Sequence, residues 1–202
     1  MALELKVLQA VRLKGLVSPD DLAATVDEAD DAVAGTVAAL TQSGLLVAGK
    51  TVKLSPDGRA QLAELLAAER SNIDADAVSA SYDAFRAVNA DFKVLVTDWQ
   101  LKDGEPNTHE DAAYDAAVLA RLDDIHTRVI PIIRDVSDQL PRLASYAAKL
   151  DRARQKIIGG EGIWLARPLV DSYHTVWFEL HEELILACGL TRRGEAEAGH
   201  AQ

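Results

Sequence analysis

The stretch KGLVSPDDLAATVDEADDAVAGTVAALTQSGLLVAGKTVKLSPDGR, residues 14–59, decides how the first third of the chain folds. Ser18 ahead of Pro19 is a helix N-cap followed by proline in the first turn, and Gly44 is a helix stop. Between them, residues 22–26 and then Val33, Val37 and Leu40 carry apolar side chains at helical spacing. Residues 3–13 form an earlier run of the same kind. Two short apolar runs, 45–47 and 52–54, flank Ala48-Gly49-Lys50 and predict a small hairpin. Ser55-Pro56 then opens a further helix reaching Arg70. Helix, helix, helix, two-stranded wing and helix is the winged-helix order.

Two local runs carry a family likeness. Leu54-Ser55-Pro56-Asp57-Gly58-Arg59 follows the hairpin, and residues 40–47 end in Ser43-Gly44-Leu45-Leu46-Val47. With these runs, residues 1–70 resemble the winged-helix domain of MarR-type bacterial regulators. The likeness covers about a third of the chain. It implies a dimeric, ligand-responsive transcriptional regulator in which the second helix of the helix-turn-helix motif enters the major groove.

The charge of that segment opposes the implied role. Between Lys14 and Lys50 there is no lysine or arginine, and there are six acidic residues: Asp20, Asp21, Asp27, Glu28, Asp30 and Asp31. Phosphate neutralisation supplies most non-specific affinity for DNA, so an anionic entering helix works against binding. Asp30 and Asp31 also favour the helix N-terminus through its dipole, which accounts for their presence but not for the missing cations. The cations left for a DNA interface are Lys6, Arg12, Lys14, Lys50, Lys53 and Arg59.

Composition agrees with the local charge. The 202 residues include 21 basic and 32 acidic ones, a net charge of -11, so no global electrostatic attraction draws the chain to nucleic acid or anionic membrane. No apolar run approaches about 20 residues, no signal peptide precedes Leu3, and the single Cys188 excludes an internal disulfide. These features predict a cytoplasmic protein with no membrane contact. The expected architecture is predominantly all-α: a winged-helix domain with a small β-wing over 1–70, an antiparallel four-helix bundle over 71–190 and a flexible tail over 191–202. Bundle helices are expected at about 74–101, 109–139, 141–158 and 162–189. Pro131 is expected to kink the second of them.

Steps of 100° per residue place Val170, Tyr173, Trp177, Leu184 and Cys188 on one stripe, together with His174 and His181. The same construction puts His126 and Asp115 on the inner side of the second helix, and Asn89 beside Phe85, Phe92 and Trp99 on the first. Buried polar groups require partners. Asn89, Trp99, Asp115, His126, Tyr173, His174, Trp177 and His181 are therefore candidate ligand-binding residues. Tryptophan and tyrosine at helical spacing are also ordinary core. Asp123-x-x-His126 and Asp171-x-x-His174 each set a carboxylate and an imidazole on one helical face, which makes Asp123, His126, Asp171 and His174 metal candidates. Aspartate reaches less far than the glutamate of dimetal bundles, and edge aspartates with satisfied histidines describe the pattern equally well. No metal or cofactor is expected.

Catalytic signatures are missing. Gly159-Gly160-Glu161-Gly162 lacks the lysine and serine of a phosphate loop, there is no Gly-x-Ser-x-Gly, and nothing in the sequence activates Cys188. Catalytic residues stay unassigned. Three functions remain: an accessory subunit that contacts a protein partner or a second copy of itself, with a possible small-molecule pocket in the bundle; a MarR-like regulator; and a bundle enzyme or metal protein using the interior histidines.

Overall fold

Side-chain caps set where most helices begin. Ser18 Oγ accepts from the Asp21 amide at 3.1 Å, Ser55 Oγ from the Gly58 amide at 2.9 Å, and Asp74 Oδ1 from the amides of Asp76 and Ala77. Asp111, Ser172 and Thr191 cap in the same way. Each such cap contributes on the order of 1 kcal/mol. The computed structural model describes residues 2–168 and 170–200; Leu169 and the two ends lie outside the described residues. It is mostly helical with two small antiparallel sheets, in two compact units, Met1–Ile73 and Asp74–Gln202.

In the first unit, α1 (Ala2–Lys14), α2 (Pro19–Val26) and α3 (Asp30–Gln42) precede β1 (Leu46–Val47), β2 (Lys53–Leu54) and α4 (Pro56–Arg70). Leu8 and Val11 of α1, Leu22 of α2, Val33 and Leu40 of α3 and Leu62 of α4 fill the core. The strands pair with Leu46 opposite Leu54. The segment before α2 joins them, because the Val52 amide donates to the Val17 carbonyl at 2.8 Å. Burial of α3 falls on Val33, Val37 and Leu40 alone, leaving Asp30, Asp31, Ala34, Gly35 and Ala38 exposed.

A close backbone approach fastens the hairpin to α4. The Leu45 carbonyl accepts from the Ser55 amide at 3.0 Å, and a Cβ built on Gly58 would lie 2.0 Å from that same oxygen. Backbone cannot give way as a flexible side chain does. Gly58→Ala is therefore expected to destabilise the protein by about 1–3 kcal/mol, read as a lower urea midpoint at unchanged slope.

The second unit contains α5 (Ala75–Gln100), a hairpin of β3 (Leu101–Lys102) and β4 (Glu105–Pro106), α6 (Ala112–Gln139), α7 (Ser145–Ile158), α8 (Tyr173–Ala187) and α9 (Arg192–Glu197). Ion pairs fix the directions: Arg121 with Asp98 and Arg128 with Asp91 set α6 antiparallel to α5, and Arg154 beside Asp123 with Asp151 beside His126 sets α7 antiparallel to α6. The α5–α6 turn, Asp103-Gly104, has φ of 54° and 85°, the backbone of a two-residue turn with both central residues left-handed.

Two expectations need correction. The last long helix begins at Tyr173, not at 162, because Gly162–Leu165 closes into a 3-10 turn that packs against α7 and Ser172 supplies the N-cap eleven residues later than expected. Val170 consequently lies in a turn, outside the apolar stripe. The tail is not wholly frayed: α9 occupies Arg192–Glu197 and buries Glu195. Pro131 sits on an exposed face of α6, which is helical on both sides of it.

Charge inside this unit is paired. Arg142 Nη1 lies 2.6 Å from Glu183 Oε2, with the two side chains 9% and 3% exposed. Removing one member of a buried pair leaves the other uncompensated. Arg142→Met is expected to cost about 3–5 kcal/mol, measured by urea denaturation.

Candidate functional site

Antiparallel packing of α5 on α8 brings the candidate residues together. Asn89 is level with Trp177, Tyr82 with His181 and Phe92 with Tyr173. Along α5, Asn89, Phe92, Lys93 and Val96 recur on one face; along α8, His174, Trp177, Phe178 and His181 do the same. These faces, with Arg192 from the start of α9, line a cavity of about 160 Å³. A void of about 150 Å³ holds one benzene ring.

The cavity walls are held by hydrogen bonds. Trp177 Nε1 donates to Asn89 Oδ1 at 2.9 Å, and Asn89 Nδ2 donates to the His200 carbonyl at 3.3 Å. The rings of Phe92 and Trp177 stand 4.3 Å apart between centroids, and Phe85 stacks on the other side of the cluster. Arg192 lies over the Phe178 ring at 4.2 Å and its Nη1 is 2.6 Å from Glu182.

His181 sits in a buried chain whose proton positions follow from chemistry. Tyr82 donates its hydroxyl proton to Glu195 Oε2 at 2.6 Å, and Arg86 holds the same carboxylate at 2.8 Å. The Tyr82 oxygen then accepts from His181 Nε2 at 3.2 Å, so the imidazole carries a proton on Nε2. Burial pushes the His181 pKa down to about 4, with the Arg192 charge adding to the effect. Burial also lowers His174 and His126 and raises Tyr82 and Tyr173.

No family model, curated protein or solved structure matches this chain.

The eight sequence-chosen residues divide into three places. Asn89, His174, Trp177 and His181 line the cavity. Tyr173 is fully buried beside it and shares a 3.2 Å hydrogen bond with His126, which in turn is 3.8 Å from Asp151. Trp99 and Asp115 lie at the far end of the hairpin. There Asp115 is half-buried and bonded to Asn107 at 2.9 Å and His109 at 2.9 Å, instead of facing the helix interior, and the His109 ring lies tilted against Trp99, 4.4 Å between centroids. Sequence reasoning missed Lys93, Phe178 and Arg192. The first two share the helical faces of Asn89 and His174, whereas Arg192 fell in the segment read as tail.

The metal candidates are spread apart. Asp123 is exposed and paired with Arg154 at 2.9 Å, and His174 faces the Phe92 ring. Among the described residues no group of three or more His, Cys, Asp or Glu side chains is placed to hold a metal ion. Burial pushes the Cys188 thiol up to about 11, the opposite of activation.

The first unit has a second concavity, an open groove of about 730 Å³ between α2, α3 and the end of β1. Its floor is Ala23, Ala34, Val37, Ala38 and Ala48; Asp20 and Asp30 stand on its rim. Of the cations considered for DNA, Lys6 is held by Glu28 at 2.5 Å, while Lys50, Lys53 and Arg59 are exposed. Among the described residues no helix is long and apolar enough to cross a membrane.

A neutral buried histidine makes stability depend on pH. The folded pKa of His181 lies below its unfolded value of about 6.5, so the unfolded chain binds more protons between there and about 4. Stability should therefore fall as pH drops through that window. His181→Gln, whose amide keeps a donor toward Tyr82, should flatten the fall in the urea midpoint while changing it least at pH 7.5 or above.

Proposed function

We propose that this chain is an accessory, protein-interaction subunit: a winged-helix domain whose α3 seats a basic amphipathic segment of a protein partner instead of DNA, joined to an antiparallel four-helix bundle. The observation that carries this reading is the groove along α3. An apolar floor of alanine and valine with aspartates on the rim suits a helix that has leucine-type side chains on one face and lysine or arginine beside them. Asp20 and Asp30 have no ion-pair partner among the described residues, which leaves them available to an incoming cation. DNA would meet these same carboxylates with its phosphates, and the repulsion opposes base readout.

The pairing of Val17 with Val52 and the β1–β2 hairpin before α4 support the winged-helix assignment. A MarR-like regulatory role is favoured by one observation, the exposed Lys50, Lys53 and Arg59, which suit a grip on backbone phosphates. The two readings separate in a titration. A labelled peptide with leucine and lysine at helical spacing should bind in the micromolar range, weaken as salt is raised, and lose about tenfold in affinity with Asp20→Asn/Asp30→Asn. Sub-micromolar, sequence-selective binding to the promoter of its own operon, with no peptide binding, would instead support the regulator.

A further inference from the structure

The cavity between α5 and α8 has a size, a charge and a wall chemistry that point to one class of ligand. At about 160 Å³ it has room for one ring with a short substituent. None of its lining residues is acidic, although the chain has 32 acidic residues against 21 basic ones. In so acidic a protein, a cavity lined only by neutral and cationic groups is a local reversal of sign.

Two ionisable groups of the lining have no protein partner among the described residues. Lys93 is half-buried and makes no ion pair or hydrogen bond through its ammonium among the described residues. His174 is half-buried, and its ring nitrogens likewise have no hydrogen-bond partner there. These two stand at one level: with Asn89 opposite Trp177, Lys93 lies one turn further along α5 and His174 one turn earlier on antiparallel α8. Other polar groups nearby are already engaged, Arg192 by Glu182, His181 by Tyr82 and Asn89 by Trp177.

We propose that this cavity binds a small monocarboxylate with a flat apolar body, the carboxylate on the Lys93 ammonium and the His174 N–H, the body on the exposed Phe178 ring and the edges of Phe92 and Trp177 that reach the cavity. One unengaged ammonium matches one negative charge, and a neutral imidazole adds a donor without a second charge. A phosphate dianion is poorly matched, since Arg192 is held by Glu182. An amine is repelled by Lys93. The Phe178 ring, 40% exposed, supplies apolar surface that a bare anion would leave empty. The inference concerns the second unit and stands or falls apart from partner docking on the first.

The test follows the Trp177 indole N–H by NMR in the full-length protein, with phenylacetate, 2-phenylethanol, phenethylamine and inorganic phosphate as probes. Phenylacetate should shift that signal saturably and bind at least about tenfold more tightly than the alcohol of nearly the same shape. Lys93→Gln should abolish that preference, whereas Lys93→Arg should keep it; both variants should show native spectra in the unbound state. The proposal is overturned by no saturable shift up to roughly 10 mM phenylacetate. Equal binding of the alcohol or the amine overturns it, as does phosphate binding as tightly as phenylacetate. So does a carboxylate preference that survives in Lys93→Gln.

Discussion

Glu195 is the point on which the second unit turns. Its carboxylate is held by both nitrogens of the Arg86 fork and by the Tyr82 hydroxyl, so a residue from the last helix is fixed to the middle of α5. Charge-assisted bonds of this kind are the strong ones. Because Tyr82 gives its proton to Glu195, His181 has to present its Nε2–H to Tyr82, and the tautomer of the neutral ring follows. Because α9 is fixed there, Arg192 lies over Phe178 and closes one end of the cavity. One buried carboxylate thus determines a tautomer, a helix position and a cavity wall.

Acidic residues have two separate roles in this chain. In the second unit Glu182, Glu183 and Glu195 are buried and paired with Arg192, Arg142 and Arg86. In the first unit the aspartates of α2 and α3 stand on an open rim with the apolar floor between them. A net charge of -11 conceals this difference. The buried pairs tie α8 and α9 to the elements packed on them, whereas the rim is anionic surface open to solvent.

Much of the fold was legible because its signals are local. Ser18-Pro19, Ser55-Pro56 and Gly44 marked helix ends through capping and backbone preferences that need no tertiary information. Asp103-Gly104 was equally local, a turn pair that specifies a hairpin, yet it was read only as a break between helices. The early start assigned to the last helix failed for a tertiary reason: Gly162 lies against the Trp99 ring, where an added Cβ would be 2.9 Å from it, so residues 162–165 are held in a tight turn by packing. Helical periodicity placed Asn89, His174, Trp177 and His181 on facing stripes, but a stripe fixes no level along its partner helix. That is why His126 and Asp115, chosen by the same rule, belong to other clusters.

The floor of the α3 groove has a consequence for shape. Ala23, Ala34, Ala38 and Ala48 each contribute a single methyl group, and Gly35 beside them contributes none. Apart from Thr41 and Gln42 at its edge, such a surface has few projections and little rotameric freedom of its own. The contour of any contact made there is set by the side chains that enter from outside, and the chain itself loses little conformational entropy in accepting them.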